Sequence, residues 1–368
     1  MAKEKEENDM KKGMVILSLI LTLLFGLFAI TYGFEKELFP GENELYEKAK
    51  KDMMVVSYDT GPGWANWVGE FGAFEKRYTE LTIVYNDLGS GVTVARLEKE
   101  KARPQADTAY YSIPYGPIAK TKGVTEGYKP FNFDKLPQQL RDPDGHWFAI
   151  HVGTVAICAN NKLVKNIPRG WNDLLKPEYK NHIVYLDPRT TGIGHAIVLA
   201  TSYAMGGNES NVKPGVEYLA KLQKAGNIKR YEATVEYAKF LKGEIPIWIT
   251  YDFNAYKAKY IGEADCTVVI PKEGTITAPY VISFVKNGPH PNAGKLWLSF
   301  ILSDEGQKIF AEGFVRPVVP GVKLPPAVAA KFLPADDYKA AHNVDWVMAG
   351  KTLDDVKKLW TELVLGAK

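Results

Sequence analysis

Three short loops carry the residues of this sequence that are best suited to bind a ligand. Residues 59–64 read DTGPGW, residues 86–91 read NDLGSG and residues 187–192 read DPRTTG. Each loop follows an apolar run typical of a strand, and the last two open helical stretches. The first N–H groups of a helix are unpaired and carry partial positive charge, so they attract anions. The loops therefore predict an oxyanion site, although each could also be an ordinary turn and helix cap.

The third loop adds a fixed positive charge, because Arg189 stands directly before two threonine hydroxyls. Arginine binds phosphate and carboxylate groups through two parallel hydrogen bonds. In the second loop, Ser90 can hydrogen-bond a ligand and Gly91 allows its close approach. We expect these two loops to bind the same anion. The alternative for Arg189 is that it only forms an ion pair with Asp187.

The usual signatures of catalysis are absent from the sequence. It contains no G-x-S-x-G nucleophile elbow and no H-E-x-x-H zinc helix. Residues 345–352 lack the first glycine of a phosphate loop, and residues 192–197 lack the third glycine of a dinucleotide fingerprint. The six histidines are dispersed, so metal ligation by His146 and His151 is less favoured than a structural role. The sequence predicts a protein that is not an enzyme and has no cofactor.

The composition is that of a folded protein whose partners are not nucleic acids. Of 368 residues, 46% are hydrophobic, and 46 Lys and Arg nearly balance 43 Asp and Glu. The length suits two domains, or one domain divided into lobes, and the net charge of +3 shows no concentrated basic excess. The two cysteines, Cys158 and Cys266, exclude a disulfide-rich scaffold. They leave open a choice between buried free thiols and one disulfide.

The first 33 residues have the pattern of an export signal. A polar segment ending in Lys11 and Lys12 precedes an apolar run at residues 14–30. The run is at the short limit for crossing a hydrocarbon core of about 30 Å, and the pattern fits a secretory signal peptide or an uncleaved signal anchor. Either alternative places the remainder in a periplasmic or other extracytoplasmic location, and the uncleaved form would tether it to the membrane. No cysteine follows the run, so lipid attachment is not predicted.

Strand-like and helix-like segments alternate along the rest of the chain, which predicts an α/β fold with mostly parallel sheets. Predicted strands are 53–58, 81–85, 149–159, 183–186, 245–250, 266–270 and 280–285. Predicted helices are 64–77, 92–102, 194–205, 213–225, 231–241 and 293–312. The C-terminal part, 325–368, is rich in alanine and lysine and predicts a helical segment without features of a site.

Five segments resemble the substrate-binding proteins of bacterial ABC importers. They read EKEKARPQAD at 98–107, GWNDL at 170–174, KGEIP at 242–246, PKEG at 271–274 and SDEGQ at 303–307. They occur in the family's order and span most of the exported chain. The resemblance is to the branch that holds ferric-ion, thiamine, polyamine, phosphonate and sugar-phosphate binders.

The resemblance implies a type II periplasmic-binding-protein fold with two α/β lobes that close over a solute in the cleft between them. The expected organisation is an export signal or anchor at 1–33, lobe one at 50–151, lobe two at 152–275, a return to lobe one at 276–324 and the helical segment at 325–368. It also implies a monomer that delivers a small-molecule solute to a membrane permease, without covalent chemistry.

The resemblance leaves the solute open among three classes. Ferric binders of the family use adjacent tyrosines where this chain has Tyr251 and Asp252, and these two would then be the metal ligands. Polyamine binders use carboxylates and rings, which Asp59, Trp64 and Trp67 could supply. A phosphate-, phosphonate- or carboxylate-bearing organic molecule suits the loops best, and thiamine-like cations stay possible. The predicted solute contacts are Thr60, Trp64, Ser90, Gly91, Tyr110, Tyr111, Arg189, Thr190, Thr191, Gly192, Tyr251 and Asp252.

Overall fold

The apolar runs of the sequence form the strands of one mixed sheet. The structure is a computed structural model that describes residues 34–232 and 236–366, so the predicted export signal at 1–33 lies outside the described residues. The strands are β1 (Met54–Tyr58), β2 (Thr82–Tyr85), β3 (Thr108–Ser112), β4 (Thr125–Glu126), β5 (Phe148–Asn160), β6 (Ile183–Leu186), β7 (Ile228–Glu232), β8 (Ile247–Tyr251), β9 (Cys266–Val269), β10 (Thr275–Val285), β11 (Arg316–Pro317) and β12 (Ala341–His342). Their order is β2-β1-β3-β10-β5-β8-β6-β7, with the other four paired to β5 or β10.

Helices follow most of the strands, as the alternating sequence pattern predicts. They are α1 (Glu42–Ala49), α2 (Trp67–Arg77), α3 (Ser90–Lys99), α4 (Tyr115–Thr121), α5 (Gly192–Ala204), α6 (Lys213–Lys224), α7 (Tyr237–Leu241), α8 (Asp252–Tyr260), α9 (Pro291–Leu302), α10 (Asp304–Glu312), α11 (Pro326–Ala329), α12 (Trp346–Lys351) and α13 (Leu353–Trp360). Among the residues that the structure describes, no helix is long and apolar enough to span a bilayer.

Strand β5 divides the sheet into two halves. Its residues Phe148–Thr154 pair antiparallel with β10, and its residues Val155–Ala159 pair antiparallel with β8. We call β2, β1, β3 and β10 with the start of β5 the first half-sheet, and the end of β5 with β8, β6, β7 and β9 the second half-sheet. Strands β1, β2 and β3 run parallel, as do β6, β7 and β8. Because parallel strands end at the same edge, the loops that follow them gather there.

Two predicted helices differ in extent from those observed. The expected helix 231–241 is wrong at its start, because Tyr231 and Glu232 extend strand β7 and pair with β6. The expected single helix 293–312 is two helices, α9 and α10. Ser303 separates them with extended backbone, and its hydroxyl accepts a hydrogen bond from Gly306 N at 3.1 Å. A serine N-cap favours the start of a new helix over continuation of the old one.

The C-terminal segment, residues 325–368, packs against the sheet and against two residues predicted to bind the solute. Its strand β12 pairs with β10 at Thr275 and Ile276, so it lies beside the junction of the two half-sheets. The Tyr338 hydroxyl bonds the Asp252 carboxylate at 3.1 Å, and the Trp360 ring lies 4.9 Å from the Arg189 guanidinium. Two aromatic residues of this segment therefore contact residues that the sequence predicts to bind the solute, although both of those residues lie outside the cavity described below.

Both cysteines are buried free thiols, the first of the two alternatives left open by the sequence. Cys158 lies on β5 and Cys266 on the neighbouring β9. Both belong to an apolar cluster that includes Trp248 and Phe240 in the second half-sheet. They contribute to this core as small apolar side chains.

A carboxyl on helix α2 is buried without a positively charged partner among the described residues. Glu70 is fully buried, and in the described part of the chain neither of its oxygens meets the geometry of a hydrogen bond. Burial raises the pKa of Glu70 well above its usual value, the nearby Glu305 and Glu312 raise it further, and the backbone of Phe310 offsets this only in part. By contrast, the equally buried Glu42 receives bonds from Arg77 and Tyr78. Ionisation of Glu70 therefore opposes folding.

We expect Glu70→Gln to stabilise the protein in a pH-dependent way. The carboxyl ionises near 4.5 in the unfolded chain but at a higher pH in the folded chain, so stability falls as pH rises above about 4.5. The variant should gain about 1–3 kcal/mol in unfolding free energy at pH 8 and nothing near pH 4. Urea unfolding at both pH values measures this, with the exposed Glu263→Gln as control. An equal gain at both pH values would contradict the assignment.

Candidate solute-binding site

A small cavity lies where the carboxyl ends of the two half-sheets meet. Its volume is about 30 Å³, room for about two water molecules. The lining residues are Asp59, Trp64, Asp87, Leu88, Gly89, Ser90, Tyr110, Leu186, Thr191, Gly192, Ile193 and Tyr280. They come from the loops after β1, β2 and β6 together with strands β3 and β10. The position is the one at which open α/β sheets bind ligands.

Two helix N-termini meet at this cavity from opposite halves. Helix α3 begins at Ser90 in the first half and helix α5 at Gly192 in the second. The Gly91 N–H donates to the Thr190 carbonyl at 3.3 Å, so the two helix starts are in contact. A Cβ on Gly192 would lie 2.4 Å from Ser112 Oγ, and only glycine allows this approach. The partial positive charges of both helices therefore favour an anion at one place.

Three hydroxyls around this contact are buried and have no hydrogen-bond partner within residues 34–232 and 236–366: Ser112 Oγ, Tyr115 Oη and Thr190 Oγ1. The Tyr115 hydroxyl lies beside Gly91, since a Cβ there would be 3.2 Å from it. The Ser90 hydroxyl accepts a bond from Ser112 N at 3.1 Å. A buried unsatisfied hydroxyl costs about 1–3 kcal/mol. An oxyanion, which accepts several hydrogen bonds at once, is the ligand that these donors fit.

Two carboxyl groups line the cavity beside the helix starts. Asp59 follows β1 directly and Asp87 lies two residues after the end of β2. The Leu88 N–H donates to Asp59 Oδ1 at 3.2 Å. Burial raises the pKa of both, and repulsion from Asp87 raises that of Asp59 further. In the described part of the chain, neither forms an ion pair with a basic side chain. A cation placed between them would relieve this repulsion.

Aromatic side chains close the cavity on its inner side. Trp64 Nε1 donates to Tyr110 Oη at 2.8 Å, and Tyr110 Oη lies 2.7 Å from His151 Nε2. Burial lowers the pKa of His151 to about 3, so the imidazole is neutral. The neutral imidazole carries one ring proton, so the hydrogen bond between Tyr110 Oη and His151 Nε2 can run in either direction. The Tyr110 and Tyr280 rings stack at 4.9 Å.

Five of the predicted contacts line the cavity: Trp64, Ser90, Tyr110, Thr191 and Gly192. Gly91 and Thr190 lie next to it. Thr60 does not line the cavity, and its hydroxyl donates to the Ser57 carbonyl at 3.1 Å. Thr191 is partly committed as the N-cap of α5, accepting from Gly194 N at 3.1 Å. Arg189 pairs with Asp187 at 2.6 Å and stacks on Trp360, away from the cavity lining.

Three more predicted contacts lie outside the cavity. Tyr111 faces the opposite side of β3 from Tyr110, because side chains alternate along a strand, and it bonds Ser283. Tyr251 packs edge-on against Trp64 at 5.8 Å. The Asp252 carboxylate accepts from Thr154 N at 2.9 Å and is ion-paired with Arg316.

The pair Asp252–Arg316 holds the point at which β5 passes between the half-sheets. Thr154, whose N–H Asp252 accepts, is the last residue of β5 that pairs with β10. Arg316 belongs to β11, which pairs with β5 at Val152 and His151. Its guanidinium lies between the rings of Phe332 and Tyr338, 4.7 and 4.3 Å from their centres. Asp252 is thus part of a structural network.

Sequence reasoning missed Asp87, Tyr280 and the unpartnered hydroxyls of Ser112 and Tyr115 as parts of the site. The signal for Asp87 is present, since it follows β2 just as Asp59 follows β1. Parallel neighbouring strands bring such residues together. The hydroxyls carry no such signal, because their burial depends on contacts between segments far apart in the sequence.

The sequence of this chain is similar to those of known bacterial solute-binding proteins. Residues 106–350 match the family of bacterial extracellular solute-binding proteins. A periplasmic protein of Salmonella typhimurium, named as a candidate 2-aminoethylphosphonate binder, is 28% identical over 249 residues, 66% of this chain and 71% of that protein. The spermidine/putrescine-binding periplasmic protein of the same organism is 25% identical over 278 residues, 71% of this chain and 78% of that protein.

The same fold occurs in a solved structure. The periplasmic binding protein AfuA from Actinobacillus pleuropneumoniae, with fructose-6-phosphate bound, matches with a TM-score of 0.72 and 23% identity over 85% of this chain and 98% of that chain. This likeness confirms the predicted two-lobed type II periplasmic-binding-protein fold. The chain belongs to the family of bacterial extracellular solute-binding proteins, the non-enzymatic components that bring small-molecule solutes to the permeases of ABC importers.

Proposed function

We propose that this protein captures a small zwitterion that carries both a phosphonate or phosphate group and an amine, such as an aminoalkylphosphonate. The observation that carries the proposal is the charge arrangement of the cavity. Two helix N-termini with buried hydroxyls adjoin two carboxyl groups that have no basic partner in the described residues. A solute with opposite charges a few atoms apart satisfies both parts.

The anionic group would bind at the starts of α3 and α5. Donors there are the hydroxyls of Ser112, Tyr115 and Thr190, together with first-turn N–H groups of both helices. The N–H groups of Gly91 and Gly194 already donate to Thr190 and Thr191, so they join only if these bonds open. Each hydrogen bond to a charged group contributes about 1.5–3 kcal/mol. The sequence-based prediction that Arg189 binds the anion is not part of this proposal, because Asp187 and Trp360 hold its guanidinium. The ammonium group would bind between Asp59 and Asp87.

The relatives support an organophosphorus solute without identifying it. One carries a name that refers to 2-aminoethylphosphonate, and one structural neighbour holds fructose-6-phosphate. 2-Aminoethylphosphonate contains both charged groups that this cavity fits, whereas fructose-6-phosphate contains only the anionic group. The carboxyl pair therefore favours an amine-bearing solute over a sugar phosphate.

Ferric iron is a weaker candidate on chemical grounds. Iron(III) requires phenolate and carboxylate oxygens. Burial raises the pKa of Tyr110, Tyr111 and Tyr251, which disfavours the phenolate forms. The Asp252 carboxylate is already engaged by Arg316. The predicted ferric ligands, Tyr251 and Asp252, lie outside the cavity.

A polyamine fits only half of the cavity. The pair Asp59 and Asp87 suits one ammonium group, but the second would meet the positive ends of two helices. Trp67, a ring that could have caged an ammonium, is fully buried and packs against Phe71 and Phe310. Asp252, another carboxylate among the predicted solute contacts, is held by Arg316.

We further propose that the half-sheets correspond to the two lobes, with the boundaries 50–151, 152–275 and 276–324 expected from the sequence. Support comes from β5, which changes partner strand between Thr154 and Val155. Capture then consists of closure about this crossing by a monomer that delivers its solute to a permease. The halves touch through Gly91 and Thr190, and the cavity must widen at this contact to hold a solute larger than about two water molecules.

The proposed function is tested by isothermal titration calorimetry at pH 7.4 with 2-aminoethylphosphonate, ethylphosphonate, fructose-6-phosphate, spermidine and Fe(III). We expect 2-aminoethylphosphonate to bind at least tenfold more tightly than ethylphosphonate, because only the former has an ammonium group for the carboxyl pair. Tightest binding of spermidine or Fe(III) would overturn the proposal.

We expect Asp87→Asn to remove the preference for the amine. Its carboxyl accepts no hydrogen bond from the described residues, so the substitution should leave the fold intact. Affinity for 2-aminoethylphosphonate should fall at least tenfold while that for ethylphosphonate stays within about twofold. The exposed Asp134→Asn is the matched control. Equal losses for both solutes would show that Asp87 does not bind the amine.

We expect Arg316→Met to destabilise the protein by about 3–5 kcal/mol, because it leaves the buried Asp252 without its counter-charge. Asp252→Asn in the same chain should recover part of this loss. Urea unfolding of the wild type, both single variants and the double variant measures the coupling. Additive effects of the two substitutions would contradict the role of this pair.

A further inference from the structure

A buried lysine connects the two halves of the molecule. Lys257 lies on α8, which follows β8 of the second half-sheet, and only 7% of it is exposed. Its Nζ donates to the carbonyls of Ala65 at 3.1 Å and Pro62 at 3.3 Å. These carbonyls belong to the turn after β1 of the first half-sheet. The ammonium group therefore contacts both halves at once.

The turn at 59–66 is anchored in the first half of the molecule by other bonds. Asp59 N donates to Asn86 Oδ1 at 3.2 Å, next to the end of β2. Asn66 Nδ2 donates to the Ile309 carbonyl of α10 at 2.6 Å. Ala65 has a φ of 44°, a backbone conformation that residues other than glycine rarely adopt. Lys257 stabilises this turn from the opposite half.

The same turn carries Trp64 into the cavity wall. The Trp64 ring lies 5.4 Å from Phe253 and 5.8 Å from Tyr251, both in the second half, while its N–H bonds Tyr110 in the first. Any separation of the halves that moves this turn breaks the bonds of Lys257 and withdraws Trp64. The position of the lysine is thus linked to the completeness of the cavity.

The surroundings of Lys257 provide hydrogen bonds but no negative charge. From α7, the Tyr237 ring lies 5.0 Å from Nζ, and the turn contributes only carbonyls. Among the described residues, no carboxylate forms an ion pair with it. A desolvated ammonium without a counter-ion is disfavoured relative to one in water.

We propose that Lys257 is a positioning residue which seats the Trp64 turn in the closed state, and that solute capture drives a proton from its ammonium group to the solvent. This inference rests on the proposed function in one respect, namely that binding closes the lobes. In the open state Nζ is hydrated, and on closure it exchanges water for two carbonyls.

The sign of the linkage follows from the two environments. Burial lowers the pKa of Lys257 from 10.5 to about 8. A group that loses protons on closure makes closure more favourable as pH rises between these values. At pH 9 the release should be about 0.9 proton per solute, and at pH 7 about 0.1 proton.

Other groups also titrate near the cavity, so a matched comparison is needed. Burial raises the pKa of Asp59 and of Asp87 as well, so both carboxyls can exchange protons when the lobes close. The solute can change its own protonation. All of these contributions are common to the wild type and to Lys257→Met, which keeps most of the length of the side chain but has no proton to lose.

The test is calorimetry with 2-aminoethylphosphonate at pH 7 and pH 9, in two buffers of different ionisation enthalpy. The wild type should release about 0.8–1 proton more than Lys257→Met at pH 9, and its affinity should rise more steeply with pH than that of the variant. Lys259→Met, on the same helix, should behave like the wild type. Equal proton release by the wild type and Lys257→Met would overturn the inference.

A second measurement separates this inference from the choice of solute. Failure of the wild type to bind 2-aminoethylphosphonate at pH 7 would contradict the proposed function alone. Labelling with acetic anhydride, with and without whichever solute of the calorimetry panel binds, followed by peptide mass spectrometry, then decides the role of the lysine. Lys257 should react at least tenfold more slowly with that solute than without it, while Lys259 reacts equally in both, and an unchanged rate at Lys257 would overturn the inference.

Discussion

Strand β5 hydrogen-bonds to β10 over its first part and to β8 and β9 over its second, and the site depends on this continuity. One unbroken strand carries the chain from the first half-sheet to the second, so the parallel strands of each half end near the other half. Asp252 and Arg316 hold the crossing point, and the C-terminal segment packs over it through Tyr338. Helices α3 and α5 consequently begin against each other.

The contact between these helix starts leaves polar groups that the described residues do not satisfy. The hydroxyls of Ser112, Tyr115 and Thr190 are buried there without hydrogen-bond partners in the described part of the chain. On the other side, the buried Asp59 is repelled by the exposed Asp87. Structures retain such unfavourable groups mainly at functional sites, where a ligand compensates them. Here the compensation requires opposite charges on one small molecule.

Much of this arrangement could be predicted from local sequence. The loops ending in Ser90 and Gly192 were identifiable because glycine and hydroxyl residues followed strand-like runs, and both helices begin there. The pairing of Arg189 with Asp187 was one of the two alternatives open from the sequence. The position of Asp252 could not be predicted, because its partner Arg316 is distant in the sequence. A charged side chain indicates that a partner is needed, but the fold decides whether that partner is a solute or another residue.

A crystal structure of the protein with 2-aminoethylphosphonate is the most direct test of the proposed solute site. We expect phosphonate oxygens on the N–H groups at the starts of α3 and α5, within hydrogen-bond distance of the Thr190 hydroxyl. We also expect the ammonium group between the carboxylates of Asp59 and Asp87. A phosphonate held at Arg189 outside the cavity, or an ammonium group away from both carboxylates, would contradict it.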